Sequence, residues 1–338
     1  MSAAAPTTTV SMVVVSYNSA ADLPACLDSA AAAGGPGLGV DVVVVDNASS
    51  DGSAALVRER HPGVAVVETG ANLGFAAAVN RGVAATAGRF VLLLNPDAVL
   101  LPGSLEALVA FALDHPEHGL YGGRVVHEDG SNDPSSCWGA MTPWSLLCFA
   151  TGLSTAFARH RLLDPESLGR WERDTVREVP VLTGCLLLAP RAVWEELGGL
   201  DEAYWLYGED ADLGLTARRR GWRPVVVPRA RILHRKGGSS PSGTKMPLVL
   251  AGRATLVRRR WPTPWRGLGL ALLTAGVGLR AGLARAAGRG GADWRAAWAT
   301  RAVWRRGYPG ARALVGAVGA APGPGGVHQH PGQSGAAR

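Results

Sequence analysis

The sequence predicts an α/β fold whose central sheet is mostly parallel and covered by helices on both faces. Two observations carry that expectation. Through the first hundred residues, short β-branched runs alternate with alanine-rich helical segments, and the runs are continuously apolar instead of alternating with polar residues. A strand buried on both faces needs such a run, because neither side of its pleat meets water. Repeated strand–helix units imply right-handed crossovers and a doubly wound sheet.

The elements follow in order. Residues 10–16 read as a strand and 20–33 as a helix; the glycine-rich stretch 34–39 precedes a strand at 41–45 and so reads as a turn. Residues 53–60 form a second helix, 64–68 a third strand, 75–86 a third helix, 89–94 a fourth strand and 105–113 a further helix. Residues 127–178 mix Trp, Ser, Pro and charges and read as an irregular, acceptor-facing region. A single strand at 179–189 and a helix at 190–197 restore the pattern. A helix at 209–220 is stopped by Gly221, with Arg218 to Arg220 suiting the negative end of its dipole. Residues 222–227 are another strand.

The expected domains are an N-terminal tail at 1–9, a catalytic domain at 10–245, a basic Trp- and Arg-rich helical extension at 246–319, and a disordered Gly/Pro/His tail at 320–338. The net charge of +7 is uneven: residues 251–306 hold twelve arginines and one acid, a local +11 that leaves −4 for the rest. Trp261, Trp265, Trp294, Trp298 and Trp304 stand among those arginines. Such a segment suits a membrane interface with anionic lipid, or else a solvated helix packed on the catalytic body. Arg280 interrupts the longest apolar stretch, at 267–279, so no conventional spanning helix is expected. The N-terminus has no basic region followed by an apolar one, and Cys26, Cys137, Cys148 and Cys185 form no CxxC pair. These features point to reduced thiols and to a cytoplasmic protein, peripheral on the inner face of the plasma membrane through residues 251–306.

Ligands of a doubly wound sheet sit beyond the carboxyl ends of its strands, so the residues after each strand are the ones to read. The apolar strand of LLLNPDAVL ends in Asn95-Pro96-Asp97, and Asp97 suits either a divalent cation on a diphosphate or an Asx turn. Asp46 closes VVVVD and suits a base or ribose; Asp51, five residues on, suits a helix cap. Glu209, Asp210 and Asp212 crowd a helix start beside Trp205 and Tyr207, where the dipole tolerates acids and crowding could tune one for proton abstraction. His234, after a strand and before a glycine-rich loop, is a structural histidine or a ligand. The phosphate-loop, dinucleotide-fingerprint and nucleophile-elbow motifs do not occur.

In this order, VVVSYNSAADLPACLDS, VVVVDNASSDGS, ANLGFAAAVNRG, LLLNPDAVLLPGSL, LTGCLLLAPRAVWEELGGLDEAYWLYGEDADL and His234 resemble the family 2 glycosyltransferases of the GT-A fold. More narrowly they resemble a bacterial rhamnosyltransferase-like branch marked by N-P-D and Y-G-E-D-x-D-L. The resemblance spans residues 10–240 and implies a Rossmann-like sheet and an inverting, metal-dependent transferase. It implies that Tyr17 and Asp46 contact the base with Asn72 and Arg81 nearby, and that Thr183 and Gly184 line the sugar side. Asp97 would hold Mg2+ or Mn2+, with His234 helping the metal or the leaving diphosphate. Asn95, on the donor side, replaces the first acid of the D-x-D pair of many relatives. Asp210 would be the catalytic base with Glu209 beside it, and Asp212 and Trp205 would face the acceptor. The implied donor is dTDP-rhamnose or a UDP-sugar; the implied acceptor is a lipid-linked saccharide or other glycan in cell-wall or surface polysaccharide synthesis, or else a soluble aglycone.

Three other classes compete. A nucleotidyltransferase would carry glycine and basic residues after the first strand, where this chain has SYNSAADLP. A non-catalytic nucleotide-sugar-binding module would be expected to lose Asp97 or Asp210, and both are present. A nucleic-acid binder would rest on the basic segment alone, so no nucleic acid is expected as a partner.

Overall fold

A computed structural model describes residues 8–234, 245–288, 291–311 and 313–314. The disordered tail expected at 320–338 lies outside the described residues, as does the glycine-rich loop after His234.

The first half alternates as expected: β1 (Thr8–Ser16), α1 (Leu23–Ala31), β2 (Leu38–Asp46), α2 (Ser53–Arg60), β3 (Ala65–Glu68), α3 (Phe75–Ala84) and β4 (Phe90–Leu94). A short β5 (Ala98–Leu100), α4 (Ser104–Asp114) and β6 (Tyr121–Val126) follow. The stretch expected to be irregular holds β7 (Cys137–Trp138), α5 (Pro143–Thr151), α6 (Leu153–Ala156) and β8 (Arg177–Glu178). The start of α5 is strongly encoded: Thr142 and Ser145 cap each other's backbone and Pro143 opens the first turn. The run expected as one strand at 179–189 is two, β9 (Val181–Leu182) and β10 (Leu186–Pro190), because β9 pairs with β7 in a separate two-stranded sheet and only β10 enters the main one. Then come α7 (Arg191–Leu197), α8 (Glu209–Arg219) and β11 (Val225–His234). β11 starts later than expected because Trp222 lies over Gly119 instead, where a β-carbon would stand 2.6 Å from the indole ring.

Among the described residues the main sheet has nine strands, ordered β3-β2-β1-β4-β10-β6-β11-β5 with β8 on β11. β1 to β4 pair in parallel, as do β6 and β11; β10 is antiparallel to β4 and β6, and β5 and β8 are antiparallel to β11. The period of two along each strand splits the core. Val10, Met12 and Val14 face α1, α2 and α4, whereas Val13 and Val15 face α3, α7 and α8. Each fully buried side chain of this kind contributes roughly 1.5–3 kcal/mol.

The extension is α9 (Lys245–Arg260), α10 (Thr263–Ala286), α11 (Ala292–Ala299) and α12 (Arg301–Trp304). It builds a third core with Met141, Leu146 and Tyr204 of the body, against which Trp205, Leu206 and Tyr207 also pack. Its residues are therefore a wall of the protein as much as an appendage. Trp261 and Trp304 are buried in this core and Trp294 packs on Phe149, so among the five expected interfacial tryptophans only Trp265 and Trp298 are exposed. α10 also runs through Arg280 without a break. By length and composition it is long and apolar enough to cross a membrane, with 33% of its most apolar stretch buried, which corrects the expectation that Arg280 ends the segment.

Candidate active site

The carboxyl edge of the sheet gathers the site. Asp46, the last residue of β2, is buried; its Oδ2 accepts from Ser49 N at 3.1 Å and its Oδ1 is buried with no partner. An unpaired buried carboxylate oxygen is costly unless a ligand donates to it. Tyr17 is half-buried at the end of β1. The following Asn18, at φ 53°, takes a left-handed turn and accepts from Ser50 N at 2.8 Å, tying the first loop to the second. The cap position expected for Asp51 is held by Gly52; Asp51, one residue earlier, accepts from Ala20 N at 2.9 Å and Ser53 N at 3.0 Å and so ties the first loop to the start of α2.

Asn47 organises the next loop. Its amide donates to Asn72 Oδ1 at 3.0 Å and to Gly74 O at 3.3 Å, and its Oδ1 accepts from Leu73 N at 3.0 Å. Asn72 also accepts from Gly74 N, so its carbonyl holds the loop. Arg81 is exposed in the last turn of α3, at the end remote from this edge, and the structure does not bring it to the site. Gly74, at φ 87°, allows Trp205 to close over it: a β-carbon there would stand 2.4 Å from Trp205 O, which accepts from Phe75 N at 2.7 Å.

Asn95 is tied to the neighbouring loop. Its amide donates to Cys185 Sγ at 3.0 Å, and its backbone joins Cys185 and Cys26. Burial pushes the Cys26 and Cys185 thiols up to about 12, so both stay neutral beside Asp97. Asp97 Oδ1 lies 3.0 Å from His234 Nε2, and both side chains are largely buried. His234 Nδ1 is buried with no partner. A carboxylate beside an imidazole fits a divalent cation, the oxygen suiting Mg2+ or Mn2+ and the nitrogen favouring Mn2+. Among the described residues no third His, Cys, Asp or Glu joins them, so a diphosphate and water would complete the shell.

α8 supplies the acids. Tyr207 (φ 65°) and Gly208 (φ 100°) turn the chain left-handed into its first residue. Asp210 accepts from Ala211 N at 2.7 Å, and the Gly184 amide lies near enough to favour its charged form. Burial nevertheless outweighs these bonds and raises the Asp210 pKa above the usual carboxylate range. Glu209 is buried with Oε2 unpaired, and burial and the neighbouring Asp210 charge raise it strongly. Thr183 is buried, and its Oγ1 accepts from Cys185 N at 3.3 Å. The Cys185 thiol feels the charges of both Asp97 and Asp210, which puts the candidate metal pair and the candidate base around one side chain.

Asp212 does not face an acceptor. It is buried, Tyr204 Oη donates to its Oδ1 at 2.9 Å, and Arg260 of α9 binds both its oxygens. Sequence reading missed Arg260, and with it Tyr308, whose hydroxyl donates to Leu206 O at 3.0 Å, and Gly252, which lies against Tyr207. No local pattern marks them, since each acts across at least 44 residues of chain.

Residues 11–161 match the family model described as glycosyl transferase family 2. An N-acetylglucosaminyl-diphospho-decaprenol L-rhamnosyltransferase of Mycobacterium tuberculosis is 34% identical over 228 residues, covering 60% of this chain and 68% of that protein. An O-antigen biosynthesis protein of Myxococcus xanthus is 30% identical over 164 residues, 48% of this chain and 12% of that one. Among solved structures, a mannosyltransferase of Pyrobaculum calidifontis in complex with GDP-Man and Mn2+ aligns with a TM-score of 0.51 at 22% identity, over 92% of this chain and 85% of that one. That last likeness concerns the fold, a mostly parallel GT-A sheet with the antiparallel β10 set into it.

Proposed function

The chain belongs to glycosyl transferase family 2 and is a glycosyltransferase, and from that premise we propose an inverting, metal-dependent transfer of rhamnose from dTDP-rhamnose to a lipid-linked saccharide in polysaccharide synthesis. The observation that carries the chemistry is Asp210, in the first turn of α8 beside the buried Glu209, bonded to Ala211 N at 2.7 Å and raised in pKa by burial. The mycobacterial relative, a rhamnosyltransferase named for a decaprenol-linked acceptor, supports the choice of sugar and acceptor class and a place at a membrane.

Each residue then has a task. Asp46 Oδ1 accepts a hydrogen bond from the base or ribose, while Tyr17 borders the same pocket. Asp97 and His234 would hold a divalent cation, whose charge would offset that of the departing diphosphate. Asp210 takes the proton of the acceptor hydroxyl as that oxygen bonds to the anomeric carbon. The bond from that carbon to the diphosphate breaks on the opposite face, so one displacement inverts the configuration and no enzyme-bound sugar forms. A carboxylate raised in pKa is, once ionised, a stronger base than an ordinary one. Trp205, lying over Gly74 beside the start of α3, shields the sugar side from water.

The test is donor binding and slow donor hydrolysis over a panel of nucleotide sugars, with Mg2+, Mn2+ or EDTA, in wild type and Asp210→Asn. Metal-dependent turnover of dTDP-rhamnose, reduced about 100-fold or more in the variant while binding persists, is the expected result. Binding of a UDP-sugar in preference would replace the donor; turnover retained in Asp210→Asn would remove the base.

A further inference from the structure

We infer that the outer face of α10 is a membrane-docking surface that lies in the plane of a bilayer carrying anionic lipid. This surface differs from the arginine-rich one expected from sequence, and it does not rest on the transferase reading.

The geometry of α10 carries the inference. The helix has 24 residues, about 36 Å. Its outward positions recur every three or four residues as Leu268, Ala271, Ala275, Leu279, Gly282 and Ala286, all exposed and none polar. Leu268 is 43%, Leu279 37% and the neighbouring Leu283 61% exposed, with Trp265 49% exposed at the helix start. A helix on a water-facing surface carries its polar residues on the outer side. α10 does the reverse with Arg280, the one charge in the middle of the helix. That side chain turns inward, donating to Phe149 O at 2.7 Å and Thr155 Oγ1 at 2.7 Å and lying 3.9 Å over the Phe149 ring. The inner face is otherwise committed to the third core through Leu270, Leu273 and Val277. A helix fixed to the body along its whole inner side is placed to lie on a bilayer, not to cross it.

The surroundings fit the same occupant. Trp144 and Leu147, on the α5 that packs beside α10, are 48% and 39% exposed. Trp298 rests on Gly278 of α10 and stays partly exposed, with Arg301 4.5 Å over its ring. Arg285 is exposed at the end of the stripe. Trp and Arg around an apolar stripe match the boundary between acyl chains and anionic headgroups. The chain's own remaining segments do not match it: residues 235–244 and 315–338 contain no Leu, Ile, Met or aromatic residue.

The experiment is flotation of the full chain with phosphatidylcholine vesicles, with and without about one-third phosphatidylglycerol. Wild type is expected to float with the anionic vesicles and to be released by alkaline carbonate. The double variant Ala275→Glu with Leu283→Glu is expected to lose about tenfold in bound fraction, and Ala275→Leu, which enlarges the stripe, to gain. Turnover of a soluble donor, unchanged in both variants, separates this inference from the transferase reading and confirms that the variants fold. Flotation of the double variant equal to wild type overturns the proposal. So does resistance to carbonate, which means a spanning helix, and so does a wild-type dimer that the double variant dissociates, which means a second copy covers the face.

Discussion

Arg260, in the last turn of α9, closes on both carboxylate oxygens of Asp212, in the first turn of α8, while Tyr204 binds the same carboxylate from the other side. The pair joins the extension to the helix turn that presents Asp210, two residues away. Arg260→Ala leaves a buried charge unpaired, so it should cost about 3 kcal/mol in urea unfolding. Because the turn loosens, donor turnover should fall further than donor affinity. Equal losses in both would mean that Arg260 acts on stability alone.

Gly252 makes a second joint. A β-carbon there would stand 2.0 Å from Tyr207 O and 3.4 Å from Gly208 N. Tyr207 already sits at φ 65°, a conformation that costs about 1–2 kcal/mol for a side-chain-bearing residue. Gly252→Ala should therefore push α9 off the entry to α8 and lower the melting temperature, with proteolysis in the extension accelerating at native temperature. A variant as stable as wild type would show that this contact is loose.

Glu209 makes stability depend on pH. Burial and the Asp210 charge raise its folded pKa above the unfolded value. The folded state then binds the proton more tightly, so stability present below the unfolded pKa is lost as pH rises through the raised folded one. Glu209→Gln removes that loss. It should be more stable than wild type at neutral pH by roughly 1–2 kcal/mol, with the gap closing near pH 4. Denaturant melts at the two pH values check the sign. The raised Asp210 pKa likewise predicts that the acid limb of the turnover profile lies above the ordinary carboxylate range.

The Asp97–His234 pair predicts a metal phenotype distinct from the base phenotype. Asp97→Ala and His234→Ala should each weaken Mn2+ binding measured by electron paramagnetic resonance in the presence of a nucleoside diphosphate. Binding of the nucleoside monophosphate, which needs no bridging cation, should hardly change. Loss of both would assign the pair to the fold.

Asp46 predicts the converse. Its unpaired Oδ1 can receive a hydrogen bond to a charged acceptor, worth about 1.5–3 kcal/mol. Asp46→Asn should raise donor KM about tenfold or more with kcat nearly unchanged, the pattern of a contact made equally in ground and transition states. A kcat loss without a KM change would place Asp46 outside the donor pocket.

Much of the frame was legible because it is local. Continuous apolar runs mark β1, β2 and β4, and the bounds of α2 follow from Ser53 to Arg60 as read. Asp46, Asp97 and Asp210 stand out as candidates because they follow a strand or open a helix. Reading failed where the partner was distant. Asn95 looked like a donor contact until Cys185, 90 residues on, took its amide. Asp212 looked like an acceptor contact until Arg260, 48 residues on, took its carboxylate.

Short-range features of the chain set the α/β class, the carboxyl edge of the sheet, and the carboxylates and imidazole available there. They depend on periodicity and on what stands at the end of each run. Which of those groups stay open depends on packing between distant elements. Buried polar atoms must find partners wherever the packed chain brings them, and the partners of Asn95, Asp212 and Arg280 come from other elements. The same packing turned a basic tail into a wall of the catalytic body and left one apolar helix face outward.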